Sequence, residues 1–390
     1  MIRTNRRSGY TLIELLVVMT IFSIIIVAAS QMFVGLLRDA KTQARIAETN
    51  IEGIVGLELM QHDVLHAGYG IYKSMDPVSV PTPSSPPAFA RFTEITSDPA
   101  LAALNDSFDA YLPRPLVFGG GLGLNDSDRI VTKSVNAASN IQSEHWTYLY
   151  SVPGSTTNTI NTWDPSTENI GSDDYVVVLK PDQDKLYLMF ASNGTSTTIS
   201  SQYKDVLTRY SSVDSTSVIL DLGTTQPPRM PFNRADFYLD NSGVPPKCAP
   251  GTGVLFKAVA DQRVGSTGFL PAIPLLDCVA DMQVAYRYVD ALAGLTESNV
   301  TGIQPPDVDS SQGIREVRIY MLVQEGQRDN TYSYPWGTVR VGEGVTSSPT
   351  STIRFGRDFH LDSTVTDWQH YRWKLYTLVI NPLMLLPEGR

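Results

Sequence analysis

The sequence predicts an α+β protein: a long N-terminal helix, membrane-spanning in its first part, followed by a β-rich globular head. Three observations predict this. Leu15 to Leu37 is a run of 23 residues without a formal charge. No proline occurs between Tyr10 and Asp76, so a helix can run on well past that segment. Towards the C-terminus, short runs rich in β-branched and aromatic residues alternate with tracts of Ser, Thr, Asn and Gly, the pattern of strands and turns. At 390 residues and 42% hydrophobic, the chain can bury a sizeable core in two or three units. A net charge of −10 argues against broad binding to nucleic acid or anionic lipid, and no nucleic acid partner is expected.

The N-terminus carries the sharpest signal. Arg3, Arg6 and Arg7 precede the apolar run, which at about 1.5 Å per residue spans roughly 35 Å, enough for a hydrocarbon core of about 30 Å. The positive-inside bias keeps the arginines cytoplasmic. A secretory signal cleaved after Ala28-Ala29-Ser30 and an uncleaved anchor both fit the run, but neither explains Glu14. An ionised carboxylate at membrane depth costs roughly 2.5 kcal/mol or more, so an intramembrane acid is a candidate functional group.

Gly9-Tyr10-Thr11-Leu12-Ile13-Glu14-Leu15-Leu16, after a short basic leader, resembles the prepilin (class III) signal of type IV pilins and type II secretion pseudopilins. The resemblance implies a leader at residues 1–9, cut by a prepilin peptidase between Gly9 and Tyr10. It also implies methylation of the new Tyr10 amine and retention of residues 10–37 as a transmembrane and filament-core helix. Family members more often begin with Phe, so Tyr10 is a mild departure. The spacing has a physical reason of its own. Cleavage leaves a cationic amine in apolar surroundings, and Glu14 supplies an anion one helical turn away or on a staggered neighbour, which lowers the burial cost of both charges.

The helix is expected to continue through an amphipathic stem at residues 38–72. Ile51, Ile54, Val55 and Leu59 recur at three- and four-residue spacing, a stripe expected to lie against the head. Gly53 and Gly56 each weaken a helix by roughly 1 kcal/mol relative to Ala, so a bend is expected there. Gly68 and Gly70 mark the helix end. His62-Asp63-Val64-Leu65-His66 resembles a zinc-protease helix, but Asp63 stands where that helix has Glu and no third ligand follows. These residues read as polar members of the stem.

Residues 73–173 read as a Pro/Ser/Gly-rich connector and variable region, beginning with Pro77, Pro81, Pro83, Pro86 and Pro87. Gly119-Gly120-Gly121-Leu122-Gly123 lacks a dinucleotide fingerprint and reads as a turn. Residues 174–390 form the β-rich head. Tyr175 to Lys180 and Lys185 to Phe190 predict a hairpin around Pro181-Asp182-Gln183-Asp184. Further strands are expected at Ser217 to Asp221, Ala235 to Leu239, Val254 to Val259, Asp281 to Val289, Ile314 to Val323 and Tyr371 to Ile380.

The stretches Leu276 to Tyr286, Ile314 to Val323 and Tyr371 to Asn381, with Ala67-Gly68-Tyr69-Gly70, are similar to the PilW group of minor pilins, related to J-type pseudopilins. The resemblance implies a pilin-like head and a minor subunit acting in pilus initiation or at the tip. Its implied partners are other minor and major pilins, the prepilin peptidase, the inner-membrane assembly platform and, before assembly, the membrane. The head is expected in the periplasm before assembly and at the pilus or cell surface after it. A type II secretion pseudopilin and a surface adhesin or binding module are the alternatives. In an oxidising periplasm Cys248 and Cys278 can bridge a 31-residue span, roughly 3 to 4 kcal/mol in the chain-entropy model, with two separate buried thiols as the alternative. Asp126 with Asp128, Asp173-Asp174, Asp182 with Asp184 and Asp307 with Asp309 read as solvated turns rather than calcium loops. No nucleophile elbow, Walker loop or zinc set occurs, so neither an enzyme nor a cofactor or metal site is expected.

Overall fold

The structure, a computed structural model, describes residues 11–71, 94–106, 113–138, 140–151, 158–170, 175–182, 185–192, 194–195, 198–199, 217–221, 230, 232–263, 265–290, 294–300, 302, 314–348 and 351–383. Helix α1, Leu12–Leu65, is unbroken over 54 residues. It starts at Thr11 with a capping box and stops at His66, whose N–H bonds the His62 carbonyl. Gly68 and Gly70 follow at φ +89° and +73°, left-handed conformations that side chains resist. Gly68 N–H then donates to the Lys133 carbonyl at 2.9 Å, and Val135 N–H donates to the Tyr69 carbonyl at 2.9 Å. The Ala67 to Gly70 patch therefore fastens the end of the stem to the head.

In chain order the strands are β1 (Leu116–Gly119), β2 (Arg129–Ser134), β3 (Trp146–Ser151), β4 (Asn158–Ile160), β5 (Tyr175–Asp182), β6 (Lys185–Ser192), β7 (Gly194–Thr195), β8 (Thr198–Ile199), β9 (Ser217–Asp221) and β10 (Asn233–Asp240). There follow β11 (Gly253–Val259), β12 (Ile273–Asp290), β13 (Gly294–Asn299), β14 (Ile314–Glu325), β15 (Thr338–Val341), β16 (Gly344–Ser348), β17 (Ser351–Arg354), β18 (Arg357–His360) and β19 (Arg372–Ile380). The main sheet has the order β1-β2-β10-β11-β12-β14-β19, with β13 also on β12, and its pairs are antiparallel. A second sheet has the order β4-β3-β9-β5-β6. All the strands expected from sequence are present. Residues 116–134, read from the sequence as part of a connector and variable region, supply β1 and β2 of the main sheet. β5 and β6 pair antiparallel from Tyr175 with Ser192, and β5 continues through Pro181 to pair Asp182 with Lys185. Pairing with β9 ends at Leu179, so Pro181 costs no hydrogen bond on that side.

Alternation along the strands builds a core on each face of the main sheet. On one face α1 lies over β12, with Leu57, Met60, Val64 and Ala67 buried among Phe118, Phe237, Met282, Val284 and Ile319. On the other, Tyr320, Leu322 and Trp373 meet Val341, Phe355, Phe359, Leu361 and Val365. A third cluster, Ile95, Leu101, Leu104, Val117, Val131 and Phe232, lies beside β1 and β2. Cys248 and Cys278 form a disulfide that closes the loop containing β11.

The stem meets the sheet on a stripe that includes Leu59, as the branched pattern suggests, but not its neighbours Ile54 and Val55. Ile54 and Val55 are 50% and 66% exposed, and the buried face runs through Gly53, Gly56, Leu57, Met60 and Val64. The glycines explain the difference. A Cβ on Gly56 would lie 1.9 Å from the Leu275 carbonyl oxygen, and one on Gly53 would lie 2.9 Å from Leu276 Cδ1. They permit close approach of helix to strand and leave α1 continuous. Gly56→Ala is accordingly expected to lower the melting temperature of the full chain, because an overpacking cost of about 1–3 kcal/mol outweighs a helix-propensity gain of about 1 kcal/mol. A raised melting temperature would show that the stem is not seated on Leu275.

Candidate functional site: the helix N-terminus and its seat on the head

Leu12 to Leu37 is the part of α1 long and apolar enough to cross a membrane, and among the described residues none covers it. Leu12, Leu16, Phe22, Ile24 and Phe33 are among its exposed apolar side chains. Two hydroxyls in this stretch are satisfied within the helix: Thr20 Oγ1 donates to the Leu16 and Val17 carbonyls, at 2.9 and 2.8 Å, and Ser23 Oγ donates to the Met19 carbonyl at 2.7 Å. Glu14 is the one formally charged residue between Leu12 and Leu37.

Glu14 has a local partner that its charge alone does not suggest. Thr11 N–H and Thr11 Oγ1 both donate to Glu14 Oε2 at 3.1 Å, and Glu14 N–H donates back to Thr11 Oγ1 at 3.3 Å. This is a reciprocal cap, readable as Thr-x-x-Glu, that also sets an anion against the positive end of the helix dipole. A carboxylate has acceptor capacity beyond these two donors, so the cap is compatible with a further cation. Gly9 and Tyr10 lie outside the described residues.

At the other end of α1 the seat is ionic as well as apolar. Asp63, 3% exposed, pairs with the fully buried Lys257 of β11. His62 lies on the rim with its Nδ1 3.5 Å from Asp63 Oδ1, and that carboxylate holds the imidazole above its ordinary pKa against the opposing effect of burial. His66 Nδ1 is engaged with the His62 carbonyl at 2.9 Å. Among the described residues no three His, Cys, Asp or Glu side chains converge on a metal-sized site.

Beyond Gly68 the stem abuts a buried ionic network. Lys133 Nζ bonds Glu94 Oε1 at 2.7 Å and Asp106 Oδ2 at 2.5 Å, while Arg114 Nε bonds Asp106 Oδ1 at 2.5 Å. Arg234 reaches Glu94 Oε2 at 2.6 Å and Asp236 Oδ1 at 2.7 Å, and Arg129 reaches Asp236 Oδ2 at 3.0 Å. Arg129 also lies 4.2 Å over the Tyr238 ring, whose face suits the cation. Burial alone pushes the Asp236 carboxyl up, and Arg234 with Arg129 overcomes it and holds the group below the usual carboxylate range.

The remaining candidates serve the fold. The Gly-rich patch ends β1 and turns, with Gly120 N–H donating to the Gly302 carbonyl at 2.6 Å and Gly123 N–H donating to the Ser127 carbonyl at 2.9 Å. Gly121 N–H likewise donates to Asp128 Oδ1 at 3.4 Å. Asp128 is buried and accepts Val284 N–H at 2.7 Å, filling a gap in the ladder of β12; burial pushes its carboxyl up to about 7. Asp173, Asp174, Asp184, Asp307 and Asp309 lie outside the described residues.

A family model described as the prokaryotic N-terminal methylation motif matches residues 4–30, which span Gly9, Tyr10, Glu14 and most of the apolar run. The chain has a prepilin-type N-terminus. That motif indicates a prepilin-like, peptidase-processed protein, pilin or pseudopilin, with pilin-type assembly partners; it points to a structural rather than a catalytic role and, with the apolar helix, is consistent with membrane anchoring. No curated protein and no solved structure matches the chain. The capped Glu14 and the greater part of the exposed apolar length of α1 fall within the matched residues.

Proposed function

We propose that this chain is a minor pilin, cut between Gly9 and Tyr10, methylated on Tyr10, and incorporated into a type IV pilus or priming its assembly in an initiation or tip complex. One observation carries the reading. A helix with an uncovered apolar length and a lone capped carboxylate at its start is fastened at its far end to a packed β-rich head. Such a helix is satisfied first by a bilayer and then by like helices in a filament core, with Glu14 selecting the register in which a Tyr10 amine meets it. The similarity of the distal strands to the PilW group favours a minor subunit of a pilus over a pseudopilin of type II secretion. Its partners are other minor and major pilins, the peptidase and the inner-membrane assembly platform. The head is periplasmic before assembly and at the pilus or cell surface after it.

The test separates charge from cap. Glu14→Ala is expected to stay membrane-bound and processed at Gly9 but to fall at least about tenfold in filament incorporation, as judged by intact mass and by immunoblot of sheared filaments. Glu14→Gln retains the capping geometry and removes the charge. It is expected to fail like the alanine variant; normal incorporation would show that the cap suffices and would sink the charge-pairing mechanism. Intact protein export failing while pili assemble would instead place the chain in a secretion machine.

A further inference from the structure

The face of the main sheet opposite α1 is covered by Val341, Phe355, Phe359, Leu361 and Val365, and its core reaches the surface as a succession of rings. Tyr371 and Trp373 are buried with centroids 6.4 Å apart. Trp373 Nε1 donates to the Trp368 carbonyl at 3.0 Å, and the half-buried Trp368 meets Tyr334 edge-on at 6.4 Å. Tyr334, fixed by its N–H to the Gln369 carbonyl at 2.7 Å, meets Trp336 edge-on at 5.7 Å. Trp336 ends the succession 63% exposed. It is not a loose side chain on a free loop. The next residue, Gly337, accepts Asp362 N–H at 3.1 Å, and a Cβ there would lie 3.0 Å from Asp362 Oδ2.

Beside the inner rings of this succession the charged side chains are paired with one another. Arg328 pairs with Asp367 at 3.1 Å, next to Trp368, and Arg372 pairs with Asp329 at 2.9 Å. A charged ligand would have to compete with these internal pairs. Hydroxyl groups need not, because they can donate to the carboxylates and accept from the guanidinium groups while both pairs persist. The apolar area is also limited. A tryptophan exposed to this extent offers on the order of 150 Å², close to one face of a sugar ring and far below the roughly 800 Å² per side of a stable protein interface.

We propose that Trp336, backed by Tyr334 and Trp368, is the platform of a saccharide-binding site that takes a neutral pyranose ring of a glycan chain. The C–H face of the ring stacks on the indole, and its hydroxyls meet the carboxylate beside it, Asp362. The platform is held in place before the ligand arrives, so little side-chain freedom is lost on binding. Because it lies across the sheet from α1, entry of α1 into a bilayer or a helical bundle leaves it open. The inference therefore stands apart from the prepilin reading, and failure of one leaves the other untouched.

The test uses the full chain in a detergent without a sugar headgroup, titrated with maltopentaose, cellopentaose and chitopentaose by calorimetry and tryptophan emission. Saturable binding to at least one is expected at micromolar to millimolar concentration, with a change in emission. Trp336→Ala should weaken it about tenfold or more, and Trp336→Phe should retain part of it. Trp146→Ala, which removes another exposed indole, should leave it unchanged. Melting temperatures check that the variants remain folded. Absence of binding to all three sugars, or binding indifferent to Trp336→Ala, overturns the proposal. So does self-association of the chain that Trp336→Ala abolishes, since the patch would then belong to a protein contact.

Discussion

Arg234→Met is expected to destabilise the chain by about 3–5 kcal/mol at neutral pH, because it leaves Glu94 and Asp236 buried with part of their counter-charge gone. Desolvation dominates the magnitude. Arg234 is fully buried, and the methionine fills much of its volume, so the loss is electrostatic rather than a cavity. Chemical denaturation of the full chain in detergent measures it, and a loss below about 1 kcal/mol would show that water reaches the network. Adding Glu94→Gln and Asp236→Asn to the variant should not restore the wild-type value, since Arg129 then loses Asp236 and Lys133 keeps Asp106 alone. The acid limb provides a second readout. Asp236 and Asp106 are each pushed up by burial and brought below the usual carboxylate range by their cationic neighbours, Arg234 with Arg129 and Lys133 with Arg114. A carboxyl depressed in the folded state contributes stability that is present above the ordinary carboxylate pKa and is lost as pH falls through the folded value. The wild-type chain should therefore weaken below about pH 4, and Arg234→Met should show a shallower acid limb.

Lys257→Met is expected to be comparably severe but confined to the stem. It leaves the Asp63 carboxylate, 3% exposed, between α1 and the sheet without its cation, at a cost of about 3–5 kcal/mol. The helix can relieve that cost by lifting off β12, so hydrogen exchange should rise across residues 57–67 before the head melts. Lys257→Met combined with Asp63→Leu should restore most of the protection. Unaltered exchange in the single variant would show that the apolar contacts of Leu57, Met60 and Val64 hold the stem without help.

What the sequence made legible was what short-range pattern encodes. The apolar run, the absence of proline and the glycine pair at 68 and 70 placed α1 to within a few residues. Runs such as Tyr175 to Lys180 and Ile314 to Val323 placed their strands through β-branched composition. The Thr11-x-x-Glu14 cap was present in the same residues but was masked by reading Glu14 as a charge alone. Elsewhere the pattern misled for physical reasons. Ile54 and Val55 look like a core stripe, yet the sheet meets the face where Gly53 and Gly56 permit close approach. Arg129 and Lys133 make β2 look like exposed polar chain, and only partners far away in sequence render them buried; Arg234 and Glu94 are 140 residues apart. No local rule connects residues at that distance.

The disulfide has a mechanical consequence. A subunit anchored by its helix and tugged by its head is a body under tension, and the stem delivers that load to β12 at Leu275 and Leu276, where Gly53 and Gly56 touch it. Both leucines lie between Cys248 and Cys278, inside the covalently closed loop. Should the sheet begin to tear, that loop cannot pay out. The bridge withholds on the order of 100 Å of extensible chain, at roughly 3.4 Å per residue, and passes the pull straight from Cys248 into the middle of the sheet.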